Sequence, residues 1–307
     1  HLAILRQLQF HEIIVVITKA DRTNSGQIES LIQTIKQDYS FLRDANYFIT
    51  SAETGQGISE LRHYLANLPE LADTQKPFRY AIDRVFSVKG AGTVVTGTAF
   101  SGTMKVNDEL YLSTGQKVRI KAIHAQNTSS EQGIAGQRLA LNLNADLDRT
   151  PMKRGDWLLQ NEPLPPTDRI SVQILAEVPL NESQPVHIYH GASRTTGKLT
   201  LLQGKNAAKN DRTLAEIILD SPLFLAFGDK LILRSGDTKT LIAGARVLEI
   251  NSPKRHKRTE VRLNFLANLA LAENASQRIA LTLLHNATTA RQLMWTEQLT
   301  SLQLDKA

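Results

Sequence analysis

The sequence predicts a multidomain chain that joins an α/β unit to two all-β barrels and a helical end. Three observations predict it. Before Pro69, two β-branched runs flank a stretch with helical spacing, which reads as a strand–helix–strand unit. From Phe78 to Ile250, apolar residues alternate with polar ones in short runs broken by turn residues, as in antiparallel strands that close into barrels. Past Pro253, leucines return at helical spacing. Prolines punctuate the boundaries, at 69–77 and again at Pro163, Pro165 and Pro166, which divides the chain into 1–73, 77–162, 167–252 and 259–307.

Each element follows from its own pattern. Leu2, Leu5 and Leu8 share a stripe and predict the end of a helix. Ile13 to Ile17 is a continuous β-branched run, expected in a parallel strand covered on both faces. Ser25 is the expected cap of a helix carrying Ile28, Leu31, Ile32 and Ile35, and Tyr47 to Thr50 predicts a second buried strand. Ile58, Leu61, Leu65 and Leu68 line a last helix that stops at Pro69. Tyr80 to Val88 and Thr93 to Phe100 alternate around Gly90-Ala91-Gly92, which predicts a β-hairpin. Turns are marked at Gly102, Asn107-Asp108, Ser113-Thr114-Gly115 and Arg154-Gly155-Asp156, with Asn107 able to adopt a left-handed turn. A second alternating set runs from Ile170 to Ile250, and Leu263, Leu266, Leu269 and Leu271 begin the helical end. Trp157 and Trp295 are expected in cores.

Composition narrows the function. The 307 residues exceed one ordinary domain, and the absence of cysteine removes disulfides and thiolate sites. No apolar run approaches the ~20 residues of a membrane span, so a soluble chain is expected, and the absence of cysteine fits a reducing, cytoplasmic setting. A net charge of +6 suits an anionic partner but decides little alone. The chain starts at a histidine inside a helical pattern, which reads as a piece of a longer protein.

Arg84-Val85-Phe86-Ser87-Val88-Lys89-Gly90-Ala91-Gly92-Thr93-Val94-Val95-Thr96-Gly97 resembles the opening hairpin of the second domain of translational GTPases, the elongation factor Tu superfamily. With Ala81-Ile82-Asp83 ahead of it, the stretch is most similar to the bacterial selenocysteine-specific elongation factors, and the match extends over almost the whole chain. The resemblance implies the C-terminal part of a P-loop GTPase domain, two β-barrels and the start of a winged-helix region.

It also implies sites. Thr18-Lys19-Ala20-Asp21 corresponds to the guanine-reading motif, with threonine in place of the usual asparagine. A carboxylate at Asp21 accepts both N1–H and the exocyclic amine of guanine, a donor pair adenine lacks. The Lys19 stem would lie along the base, and the residue at 18 ties neighbouring loops together. Ser51-Ala52 would supply a backbone N–H near guanine O6. Four residues alone would read as an ordinary strand exit; the second loop, also at the C-terminal end of a strand, argues for a ligand. Gly-x-x-x-x-Gly-Lys-Ser/Thr is absent, since Gly197-Lys198 precedes leucine and Gly204-Lys205 precedes asparagine, so no GTP hydrolysis and no catalytic residue are expected here. GTP or GDP with Mg²⁺ would belong to the longer protein.

Asp83, Arg84 and Arg138 match the positions against which the family's aminoacyl group lies, Asp83 orienting Arg84; their bland reading is surface charge. His187 to Lys198 resembles the third-domain segment that holds the tRNA stem, with His190, Arg194 and Lys198 as phosphate contacts and an exposed edge strand as the alternative. His187 and His190 lack a third ligand, so no metal is expected. Lys254 to Arg258 reads as a solvated basic linker or, second, an RNA contact.

The resemblance therefore implies a monomeric carrier of selenocysteinyl-tRNA that works with the ribosome at recoded UGA codons, the messenger hairpin being read by further C-terminal domains. A general tRNA or initiation-type carrier and a nucleotide-independent RNA-binding module are the alternatives.

Overall fold

The computed structural model describes every residue except Gln9, His11, 70–72, 89–91 and Asp148. It divides into two compact units, His1–Leu71 and Ala72–Ala307.

In the first unit, β1 (Ile14–Ile17) pairs in parallel with β2 (Asn46–Ile49), Ile14 opposite Asn46 and Ile17 opposite Ile49. Helices α1 (Leu2–Leu8), α2 (Ser25–Asp38) and α3 (Ile58–Ala66) accompany them. The cap of α2 is Asn24 rather than Ser25: the Asn24 backbone is extended and its side chain accepts from the Gln27 N–H at 2.9 Å. β1 is half-buried rather than covered on both faces, because among the described residues its sheet has only two strands. On α2 only Ile28 is buried, and Leu31 is exposed.

The second unit holds both barrels. In the first, β3 (Arg79–Val88), β4 (Gly92–Ser101), β5 (Thr103–Lys105), β6 (Glu109–Leu112), β7 (Lys117–Ala125), β8 (Thr128–Ser130), β9 (Gln132–Ile134), β10 (Arg138–Asn144) and β11 (Trp157–Leu159) follow in chain order. The pairing order β10-β4-β3-β11-β6-β7 closes on itself because β7 also pairs with β10. Ile82, Val95, Leu112, Ile120, Ile123 and Leu141 fill the interior. Gly97 has a steric role: a Cβ there would stand 2.0 Å from the Ala81 carbonyl oxygen and 2.9 Å from Tyr80 Cζ. Its absence lets the Tyr80 ring pass inward, where the Tyr80 hydroxyl donates to the Leu139 carbonyl at 2.9 Å. Asn107 adopts φ 75°, the left-handed turn expected of it. The hairpin tip at Lys89, Gly90 and Ala91 lies outside the described residues.

The second barrel is built from β12 (Thr167–Ala176), β13 (Leu180–Asn181), β14 (Ser183–His190), β15 (Ser193–Leu201), β16 (Asn206–Ala207), β17 (Arg212–Leu223), β18 (Lys230–Ser235) and β19 (Leu241–Ile250). β12-β17-β15-β14-β18-β19 form the closed barrel, and β13 pairs with β16 beside it. Helices α4 (Glu260–Leu271), α5 (Ala275–His285), α6 (Ala290–Glu297) and α7 (Ser301–Leu304) follow. Phe265, Leu266 and Leu269 of α4 pack on Leu202, Leu214 and Leu248 of the barrel, whereas Leu271 stays exposed. Trp157 and Trp295 are both buried, in one cluster with Ala81 and Leu159 at the seam between barrels and helices. No helix among the described residues is long and apolar enough to cross a membrane.

Candidate functional site

The two loops after β1 and β2 meet. The Ala20 N–H donates to the Thr50 carbonyl at 3.1 Å, and the Thr50 N–H to the Ile17 carbonyl at 2.8 Å. Buried Ser51 donates its hydroxyl to Asp21 Oδ1 at 2.5 Å. That bond holds the Asp21 carboxyl below its usual range. Lys19 takes a left-handed backbone, φ 58°, an uncommon state for a non-glycine residue. Thr18, Lys19, Asp21 and Ala52 are exposed around this contact. The Thr18 hydroxyl makes no hydrogen bond among the described residues, and the side chain that joins the two loops here is Ser51. Gly57 keeps the second loop close, because a Cβ there would fall 2.0 Å from the Ile49 carbonyl oxygen.

On the first barrel, β3 shifts register between Ile82 and Arg84, so Asp83 sits in a bulge. Its carboxylate is occupied on both oxygens. Arg138, brought in from β10, donates Nη1 to Oδ2 and Nη2 to Oδ1, the latter at 3.1 Å, and Thr96 donates its hydroxyl to Oδ1 at 2.8 Å. Burial raises the Asp83 pKa, but the Arg138 and Thr96 bonds outweigh it and leave the carboxyl below its usual range. Asp83 therefore orients Arg138 and not Arg84, contrary to expectation. Arg84 is exposed and makes no hydrogen bond or ion pair among the described residues.

On the second barrel the expected contacts separate. β15 alternates, so Arg194, Thr196 and Lys198 face outward. His190 does not join them. The period of two that turns Tyr189 outward turns His190 inward, where it is 2% exposed, stacked 5.2 Å from the Trp157 ring with Nε2 3.4 Å from Asp229 Oδ2. Burial holds its imidazole below the usual pKa, Asp229 opposing and Arg79 adding to the effect. A neutral, enclosed histidine cannot bind a phosphate. His187 Nε2 lies 3.1 Å from the Gly236 carbonyl.

Two neighbours complete the outer face. Arg234 of β18 lies opposite His187, with its guanidinium 6.0 Å from the Tyr189 ring centroid. Between the barrels, Lys153, Arg154, Tyr189 and Arg194 line a cleft of about 890 Å³. Alternation around Leu231 and Leu233 marks Arg234 as outward, but only the strand pairing shows what it joins. The Lys254–Arg258 stretch is no solvated linker throughout: Lys257 donates to the buried Glu216 at 2.5 Å, and Arg258 to Glu182 at 2.6 Å and the Leu201 carbonyl at 2.8 Å.

Comparison with known proteins agrees with this architecture. The profile described as "Selenocysteine-specific elongation factor, beta-barrel domain" matches residues 167–254, and "Elongation factor Tu domain 2" matches 92–159. A selenocysteine-specific elongation factor of Haemophilus influenzae is 97% identical over all 307 residues, which cover 50% of that protein. The Escherichia coli protein of the same name is 41% identical over 97% of the chain and 48% of its own length. The crystal structure of a bacterial selenocysteine-specific elongation factor superposes with a TM-score of 0.77 at 23% identity, over 98% of this chain and 50% of that one. The apo translation elongation factor SelB of Methanococcus maripaludis gives 0.65 at 25% identity, over 79% and 59%. The chain thus spans about half the length of the curated relatives it matches. With both barrels, their order and their sequences in agreement, the chain belongs to the selenocysteine-specific elongation factor family.

Proposed function

We propose that this chain is the tRNA-carrying middle of a longer translation factor that delivers selenocysteinyl-tRNA to the ribosome at recoded UGA codons. The longer protein would bind GTP or GDP with Mg²⁺, Asp21 and the Ser51-Ala52 loop reading guanine, and would meet a messenger hairpin through further domains. Arg194, Lys198, Lys153, Arg154 and Arg234 are cations that would meet the tRNA backbone.

The observation that carries this reading is the charge arrangement at Asp83. The Asp83–Arg138–Thr96 group is paired within itself, and the exposed Arg84 beside it acts on Asp83 only through space and makes no hydrogen bond or ion pair among the described residues. A selenol is mostly ionised at neutral pH, whereas serine, carried by the same tRNA as precursor, is neutral. Hydrogen bonds to a charged group contribute about 1.5–3 kcal/mol. At about 1.4 kcal/mol per tenfold, that gives roughly ten- to hundredfold discrimination.

The test uses the full-length protein loaded with GTP and compares selenocysteinyl- with seryl-tRNA. Arg84→Ala should weaken the first about tenfold or more and the second little. Arg138→Ala should weaken the first further, because it leaves the Asp83 carboxylate facing the selenolate. Equal losses on both tRNAs would assign these arginines to general tRNA holding and refute the specificity.

A further inference from the structure

The segment between β17 and β18 is shared by two parts of the molecule. Pro222 and Leu223 at the end of β17 and Phe224, the first residue of the segment, line the inter-barrel cleft. The residues that follow are bonded to α6: the Trp295 indole N–H donates to the Leu225 carbonyl at 3.0 Å, and the Phe227 N–H donates to the Thr296 carbonyl at 2.9 Å. Phe224 faces both sides, lining the cleft while its ring sits 6.5 Å from that of Trp295 in an edge-to-face contact.

Helices α6 and α7 also reach the segments that flank the first barrel. The Gln303 side chain donates to the Gln75 carbonyl at 3.0 Å, and Arg291 pairs with Glu162 at 3.2 Å. Trp295 packs in one cluster with Trp157, which itself forms part of the cleft wall. Helices of eight and four residues are too short to persist alone, so their order depends on this docking.

We propose that α6 and α7 form a strap across the seam between the barrels, and that strap docking and occupancy of the cleft are thermodynamically linked through residues 221–227. Any ligand that binds the cleft with 221–227 in its docked conformation must tighten the strap by the same factor that the docked strap tightens the ligand. The ligand class is an RNA phosphate backbone, recognised by Lys153, Arg154 and Arg194; that part rests on the proposed function, and the strap itself does not.

Hydrogen exchange on the whole chain tests both. Trp295→Phe keeps an aromatic ring in the cluster and removes the indole N–H, and should accelerate exchange at 221–227 by at least about three- to tenfold, the range expected for one hydrogen bond. Trp295→Ala should accelerate it more. If Trp295→Ala unfolds the helices, Trp295→Phe still decides. Unchanged exchange at 221–227 in Trp295→Phe would overturn the strap. For the linkage, a short double-stranded RNA hairpin at saturation should slow exchange across 290–304 in the parent chain and bind severalfold more weakly to Trp295→Phe. RNA that binds with 290–304 unaltered would refute the linkage. Failure of the RNA to bind, or binding indifferent to Arg154→Ala and Arg194→Ala, would instead refute the cleft as an RNA site, and the linkage to RNA with it, while the exchange result at 221–227 would still stand for the strap.

Discussion

Removing Asp229 should separate the barrels more effectively than any single apolar truncation at the seam. Arg79 of the first barrel meets Asp229 of the second in two parallel bonds, both 2.9 Å, with the side chains only 7% and 9% exposed. The Arg79 guanidinium also lies 4.9 Å from the Trp157 ring centroid. Asp229→Ala would leave that guanidinium buried without a counter-charge, a loss of about 3–5 kcal/mol. It would also free the Ala226 N–H, now bonded to Asp229 Oδ2 at 2.9 Å, for about another 1 kcal/mol. Replacing both partners, Arg79→Met with Asp229→Leu, should recover most of the loss, since neither charge then remains buried. Urea unfolding followed by tryptophan fluorescence reads this directly, because both tryptophans lie in the seam. The experiment has a pH arm. His190 is neutral in the fold, its pKa depressed, while the unfolded chain takes up the proton near pH 6.5. Stability should therefore fall as pH drops below about 6.5, by up to ~1.4 kcal/mol per unit, until the folded pKa is reached. Asp229 raises the His190 pKa, so Asp229→Ala should extend that acid loss to lower pH. A shift of less than about 1 kcal/mol in Asp229→Ala, or an acid profile identical to the parent's, would refute the reading of the seam as a buried ionic lock.

Two further outcomes follow from the remaining contacts. In the full-length protein, Asp21→Asn should relax the preference for GTP toward XTP, because an amide can donate where the carboxylate only accepts; an unchanged GTP-to-XTP ratio in competition binding would remove Asp21 as base reader. Glu216 is buried between Arg169 at 2.8 Å and Lys257 at 2.5 Å. Glu216→Ala should destabilise by about 3 kcal/mol, whereas Lys257→Ala, at a side chain about a third exposed, should lose nearer 1 kcal/mol; equal thermal shifts in the two variants would contradict that ordering.

Much of the architecture was legible because strand periodicity and turn chemistry are local. The alternation from Phe78 to Ile250, the left-handed turn at Asn107 and the leucine spacing past 259 each depend on residues within a few positions of one another. Exposure was less legible. Leu31 continues the apolar stripe of α2 yet stays in solvent, because amphipathic spacing states which residues share a face and not what covers it.

By itself the sequence determined the class of each element, the two barrels and the motif that carries the family resemblance, all of which are written in short-range patterns. Only the tertiary structure decided who pairs with whom. Asp83 stands next to Arg84 in the chain but holds Arg138, 55 residues away, because a bulge in β3 turns its carboxylate toward β10. His190 sits among outward-facing cations in sequence yet is enclosed by Trp157 and Asp229, which no local pattern brings together. Lys257 reads as one charge in a basic run until the fold sets the buried Glu216 beside it. Charges find partners through space, and their energies depend on burial that arises only when the two barrels and the helices close on one another.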